Sequence, residues 1–292
     1  MSESPASAVI AISSHVIRGS VGNRAVVFAL ESLGFPVWSM PTVVLPWHPG
    51  HGPSTRMNFA DDVFEAAIDD LIRAPWLSEV KAVISGYFGS PRQPLAVARL
   101  VAALKQRNPD LVYLCDPVIG DLQGLYVPET TAIAIRDHLI PLADIATPNR
   151  YELAWMAGAA LESNSAIIDA ALSLGPSLMA VTSAVPMMAG SIGNLLLSNR
   201  HALLAEHRAM DNVPNGLGDL FSALLLARLL QKHGEEKALQ LATAGVYEVL
   251  ARSLKRESDE LTLEQDQSSL ITPMALVQIR RLLHPASKPV RS

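Results

Sequence analysis

Short apolar runs alternate with amphipathic stretches along almost the whole chain, the pattern of a parallel sheet whose strands are buried on both faces beneath covering helices. The runs predict strands over 8–12, 82–85, 111–115, 145–147 and 179–182, and a later hairpin of 192–197 and 201–206 turning at 198–200. The amphipathic stretches predict helices over 22–33, 61–72, 91–106, 149–157, 166–174, 218–231, 235–255 and 273–283. Five prolines between 36 and 54 point to an irregular flap rather than core, and the chain from 285 onward reads as a frayed tail. With no repeat and no linker, the expected architecture is α/β: one three-layer domain over 1–292, a central, mostly parallel sheet between helices.

Composition narrows the function classes. Of 292 residues, 49% are hydrophobic and 17% charged, enough apolar material for a large core. A net charge of −5 gives no electrostatic case for nucleic acid or an anionic membrane as a partner. The single cysteine, Cys115, excludes an internal disulfide and suits a reducing cytoplasm; on an apolar strand it reads as buried packing. Residues 1–7 lack the profile of a signal peptide, and no apolar run approaches membrane-spanning length.

In an open parallel sheet, loops at the carboxyl ends of strands converge with helix N-termini, and ligands gather there. Polar groups follow the predicted strands at just those places: Ser13, Ser14 and His15; Gly86 and Tyr87; Asp116; Thr147 to Glu152; Thr182 and Ser183. The segment Asn215-Gly216-Leu217-Gly218-Asp219 runs into an apolar helix. Two glycines let the backbone curl ahead of that helix, so its unpaired N–H groups can face an anion. Asp219 would then sit beside a transferring phosphoryl group, placed to take a proton from an attacking hydroxyl. An ordinary helix start would also use an acid here. The segment is not a Walker A loop, since no Gly-Lys-Ser/Thr follows, nor a dinucleotide fingerprint, since Phe221 holds the place of the third glycine.

Asp116 and Asp121, separated by a Pro/Gly turn, suit acceptors for a hydrated Mg²⁺ or a turn that bonds itself. Asn149 with Glu152 three positions later reads as a capping box, and the alternative places Glu152 on a metal-bound water. Tyr87, in a Gly-rich loop, is either a core-edge aromatic or a stacking surface for a flat heterocycle. His48 and His51 are separated by Pro49-Gly50, which argues against a helical metal pair.

Taken in order, these segments resemble the pyridoxal kinases, the vitamin B6 branch of the ribokinase superfamily. The carrying motifs are Ile12-Ser13-Ser14-His15-Val16 with Gly19-Ser20-Val21-Gly22-Asn23, then Ser85-Gly86-Tyr87-Phe88-Gly89-Ser90, Cys115-Asp116-Pro117-Val118-Ile119-Gly120-Asp121, Pro148-Asn149-Arg150-Tyr151-Glu152 and Asn215-Gly216-Leu217-Gly218-Asp219. The resemblance implies a ribokinase-like fold and ATP-dependent phosphorylation of the 5′-hydroxymethyl group of pyridoxal. Asp219 would be the base, and the backbone of Gly216, Leu217 and Gly218 would hold the phosphoryl group. Ser14, Val21, Val43 and Tyr87 would contact the vitamer. Asp116, Thr147, Glu152, Thr182 and Ser183 would serve ATP, with Asp116, Asp121 and Glu152 managing Mg²⁺. The resemblance further implies K⁺ dependence and a homodimer.

Departures from the pattern bear on specificity. The flap reads Val44-Leu45-Pro46-Trp47-His48-Pro49-Gly50-His51-Gly52, with Pro49 where a substrate-contacting threonine is expected, and proline has neither hydroxyl nor N–H to offer. Ser13 stands where glutamine is usual, and Thr182 where several relatives place lysine. Two alternatives therefore stand beside the first reading: a kinase of a related hydroxymethylpyrimidine, and a catalytically weak B6-binding protein.

Overall fold

The computed structural model describes residues 7–284; the predicted frayed tail lies outside them. Strands β1 (Ala8–Val16), β2 (Val37–Leu45), β3 (Met57–Asn58), β4 (Val80–Ser85), β5 (Val112–Cys115), β8 (Ile145–Ala146), β9 (Leu178–Ala184), β10 (Ser191–Ser198), β11 (Ala202–Arg208) and β12 (Gln278–Arg281) form one sheet. Its ten strands run in the order β12-β11-β10-β9-β8-β5-β4-β1-β2-β3. The six strands from β9 to β2 are parallel, and β3, β10, β11 and β12 are antiparallel to their neighbours. Strands β6 (Gly120–Asp121) and β7 (Gly124–Leu125) make a separate small hairpin.

Helices cover both faces because the central strands are apolar on both. Along β1, Ile10 and Ile12 enter one core layer while Val9 and Ala11 enter the other. The first layer packs under α2 (Asp61–Arg73), α3 (Arg92–Arg107), α4 (Glu129–Ala134), α5 (Arg150–Ala157) and α6 (Asn164–Leu174); the second under α1 (Asn23–Ser32), α7 (Leu217–Leu230), α8 (Glu235–Lys255) and α9 (Gln267–Ile271). Helix α7 is buried along Leu220 to Arg228, which is why its sequence is apolar all round.

Two expectations need correction. The stretch predicted as flap is half strand: Val37–Leu45 pairs with β1, and Thr42 and Val43 are fully buried. Pro41 is tolerated there because the β1–β2 register shifts between Ser13 and His15, so the missing N–H falls at an irregularity. Residues 46–54 remain irregular, around a 3₁₀ turn at Pro49–His51. The predicted helix over 273–283 does not form: residues 273–277 have no regular structure and Gln278–Arg281 make the edge strand β12 against β11. Arg280 fixes that strand, donating from Nε to the buried Glu206 carboxylate at 2.8 Å, whose other oxygen accepts the N–H groups of Met187 and Met188. The outward Arg281 pairs with Glu236 at 2.8 Å.

Candidate active site

The carboxyl ends of β1 and β4, Asp116 after β5 and the start of α7 line one polar cleft, with Ser13, Ser85, Gly86, Asp219 and Ser222 on its walls. Gly216 enters α7 in the left-handed region at φ 96°, and a Cβ there would lie 2.1 Å from the Ser20 carbonyl oxygen. Only glycine permits that approach. Gly218 differs: a Cβ on it would meet nothing within 4 Å, so the space above the helix N-terminus is open. The first-turn N–H groups have no intrahelical acceptors, a geometry suited to an anion.

Asp219 lies in this turn, with Oδ2 accepting the Gly22 N–H at 2.9 Å. Gly22 is itself forced, at φ 57°, with Ser14 O only 2.3 Å from where its Cβ would stand. Burial pushes the Asp219 pKa up to about 6, against the opposing effect of the Gly22 hydrogen bond. Across the cleft, Gly86 keeps β4 close: a Cβ there would sit 2.5 Å from Ser13 Oγ and 3.8 Å from Asp219 Oδ1.

The loop after β4 is pinned from three sides. Tyr87 N–H donates to Ser13 Oγ at 3.1 Å, Thr42 Oγ1 donates to the Tyr87 carbonyl at 2.7 Å, and Gly89 N–H donates to Gln93 Oε1 at 2.8 Å. Ser13 thus holds the loop. Beside it, Val16, Val21, Val43 and Leu45 form a small apolar cluster against Tyr87, while Ser14 is nearly buried at the end of β1. An apolar wall, an aromatic ring and one serine make a slot suited to a flat heterocycle.

Deeper in the cleft, Asp116 follows β5 and is buried. Ser222, one turn beyond Asp219 on α7, places its hydroxyl 2.8 Å from both Asp116 Oδ2 and Thr147 Oγ1. Burial, then the charges of Glu152 and Asp219, hold the Asp116 carboxyl well above the usual carboxylate range. Glu152 completes the predicted capping box: Asn149 N–H donates to Oε2 at 2.8 Å, and Glu152 N–H donates to Asn149 Oδ1 at 2.9 Å. Its Oε1 also accepts the Ile119 N–H at 2.8 Å, so the carboxylate joins α5 to the loop after β5. Asp121 stands apart on the β6–β7 hairpin, accepting from the Tyr126 hydroxyl at 2.5 Å and the Gln123 N–H at 2.7 Å.

Among the described residues no three acidic, histidine or cysteine side chains gather closely enough to hold a metal ion. The donor set nonetheless fits a hydrated divalent cation. Asp116 and Glu152 each have a raised pKa, with Asp116 feeling the charge of both Glu152 and Asp219, so a cation would relieve their repulsion. With both Glu152 oxygens engaged by backbone donors, contact there would run through water.

Thr182 and Ser183 sit at the end of β9, where the pairing with β10 shifts register between Gly193 and Leu195. Ser183 takes φ 56°, and Val118 in the Asp116 loop takes φ 46°. Such bulges and left-handed non-glycine residues concentrate at functional sites, yet no motif announces them. Thr42, Gln93 and Ser222 belong to no motif, and Asn23 closes the Gly19-to-Asn23 motif without a role that the sequence assigns. Asn23 donates to the carbonyls of Ser13 at 3.2 Å and Met40 at 3.0 Å, tying β1 to β2. Of these, Ser222 carried a usable signal, its three-residue spacing from Asp219 on one helix. His48 and His51 serve the segment's geometry: His48 Nδ1 accepts the Gly50 N–H at 3.1 Å, and His51 Nε2 lies 2.8 Å from Glu260 Oε1. Cys115 is fully buried, its thiol pushed up to about 12.

Comparisons with known proteins show the family. The phosphomethylpyrimidine kinase family model matches residues 61–263. A pyridoxal kinase of Rubrobacter xylanophilus is 33% identical over 281 residues, covering 94% of this chain and 97% of its own. The pyridoxal kinase of Leishmania donovani, solved with ADP and pyridoxamine, superposes with a TM-score of 0.87 at 26% identity, covering 94% of this chain and 99% of that one. The Entamoeba histolytica pyridoxal kinase shares the fold, with a TM-score of 0.88 at 24% identity, covering 95% of this chain and 100% of that one. The chain belongs to the pyridoxal kinase family, within the phosphomethylpyrimidine kinase group of ribokinase-like proteins.

Proposed function

We propose that this protein transfers the γ-phosphoryl group of ATP to the 5′-hydroxymethyl oxygen of a B6 vitamer, with Asp219 as the base. Pyridoxal kinase activity is the family's activity, and ATP and a B6 vitamer are its substrates. The observation that carries the site reading is the pairing of Asp219 with the open first turn of α7: base and anion site share one turn.

The heterocycle stacks in the slot of Val21, Val43 and Tyr87, with Ser14 hydrogen-bonded to its ring, and presents its hydroxymethyl group to Asp219. The hydroxyl oxygen forms a bond to the γ-phosphorus as the bond to the β-phosphate bridging oxygen breaks. The proton passes to Asp219 and ADP leaves. The N–H groups of Gly216, Leu217 and Gly218 stabilise the equatorial phosphate oxygens, and positioning supplies most of the acceleration. Asp116, with Glu152 through water, and more peripherally Asp121, would hold Mg²⁺, which when bound draws charge from the β- and γ-phosphate oxygens. Thr147, Thr182 and Ser183 line the nucleotide side, and a monovalent cation such as K⁺ suits the same acidic end. A single kinase domain, a homodimer and a cytoplasmic location complete the reading. No helix among the described residues is long and apolar enough to cross a membrane.

Pro49 and the engagement of Ser13 in the loop after β4 favour, as a second reading, a related hydroxymethylpyrimidine as substrate. ADP release from ATP·Mg²⁺, measured with pyridoxal, pyridoxine, pyridoxamine and a hydroxymethylpyrimidine, separates the readings. The highest kcat/KM is expected for a vitamer. Preference for the pyrimidine would transfer the function to the second reading, and vitamer binding without ADP release would leave a binding protein.

A further inference from the structure

The apolar slot that receives the heterocycle has few hydrogen-bond donors to spare. Thr42 Oγ1 donates to the Tyr87 carbonyl and the Asn23 amide donates to two backbone carbonyls, while Ser13 Oγ accepts the Tyr87 N–H and keeps its own hydroxyl proton. Pro49 has no donor at all. Against this background, one cation reaches the slot from the neighbouring edge strand. Arg56 immediately precedes β3, whose Met57 and Asn58 pair with Val44 and Val43. Its guanidinium carbon lies 5.1 Å from the Tyr87 ring centroid, and Nη2 donates to the Tyr87 hydroxyl. A Cβ on Gly89 would lie 2.5 Å from Val43 Cγ1 and 3.7 Å from Arg56 Nη2, so the guanidinium, Val43 and Tyr87 meet at one rim.

Arg56 is anchored without being neutralised. Nε donates to the amide oxygen of Asn58 at 3.0 Å, and the second partner is a phenol, so two of its five N–H groups are engaged, both by neutral acceptors. Among the described residues it makes no ion pair with a carboxylate. A planar cation held over an aromatic face, with donors remaining, is equipped to bind an anionic oxygen on a ring stacked beside it. A 3-hydroxypyridine carries such an oxygen, ionised near neutral pH through the positive ring nitrogen, whereas a hydroxymethylpyrimidine carries none.

We propose that Arg56 is a specificity-determining residue: its guanidinium recognises the phenolate oxygen of a 3-hydroxypyridine and sets the preference for B6 vitamers over neutral pyrimidine alcohols. The inference rests on the vitamer slot of the proposed function. Seating the heterocycle removes water from the guanidinium and strengthens a contact that would be weak at an open surface.

The test compares wild type with Arg56→Gln and Arg56→Lys on pyridoxine and its 3-deoxy analogue, with a hydroxymethylpyrimidine as third substrate. Arg56→Gln is expected to raise KM for pyridoxine about tenfold or more while kcat stays within about twofold. KM for the 3-deoxy analogue should stay unchanged, and Arg56→Lys should recover part of the loss because the charge remains. Equal losses on pyridoxine and its 3-deoxy analogue would show that Arg56 merely props Tyr87, and would overturn the proposal. Absence of turnover in wild type would instead count against the kinase reading. Dissociation constants for the same two pyridines, read from ultraviolet absorbance, then apply the same test to Arg56.

Discussion

A base that takes a proton from an alcohol must be ionised at working pH yet keep some affinity for the proton. Asp219, with its pKa pushed up to about 6, lies in that window. Under the proposed mechanism, kcat/KM falls about tenfold per pH unit below about 6 and is level above it. A pH–rate profile between 3.5 and 8 checks this, and an acid limb centred near 4 would mean that the base titrates as an ordinary, unshifted carboxylate. The same shift has a stability sign. Because the folded pKa exceeds the unfolded one, the native state binds the extra proton, so stability falls as pH rises from about 4 to about 6 and is level beyond. Asp219→Asn should therefore raise the melting temperature at pH 7, with the gain disappearing near pH 4.

At the scale of elements, the two glycines before α7 divide the work between architecture and chemistry. Gly216→Ala places a Cβ on the Ser20 carbonyl and strains a φ of 96°, so it should destabilise the protein by about 1–3 kcal/mol. Gly218→Ala meets no protein atom, so thermal unfolding should stay near wild type while kcat drops, since the new methyl enters the phosphoryl space. Urea denaturation and steady-state kinetics on the pair read both outcomes; a Gly218→Ala variant with full kcat would remove that space from the mechanism. These motifs were legible because glycine, a cap and an acid at fixed spacing impose local geometry. The capping box of Asn149 and Glu152 was legible in the same way. The bulge at Ser183 and the register shift opposite Ser14 were hidden, because neither depends on local residue type; each arises where neighbouring strands fall out of step.

Across the whole molecule, the centre of the sheet was readable and its margins were not. Strands β1, β4, β5 and β9 are apolar on both faces, and such runs announce themselves. Strand β2 carries Pro41 and follows a proline, so it read as flap; its place is set by β1 on one side and two residues of β3 on the other. Strand β12 read as helix because its mixture of apolar residues and arginines fits either period, and the partner that decides, Glu206, lies 74 residues away. Removing that partnership by Arg280→Met leaves a buried carboxylate held by backbone donors alone, which should cost on the order of 1–3 kcal/mol in chemical denaturation. No loss of stability would mean that Arg280 does not anchor the strand.

The central claim, that Asp219 is the base of a phosphoryl transfer to a B6 vitamer, is tested most directly by turnover of the Asp219→Asn protein. With saturating ATP·Mg²⁺ and pyridoxal, kcat should fall by about a hundredfold or more while the dissociation constant for pyridoxal changes by less than about threefold. Turnover within about threefold of wild type would contradict the account.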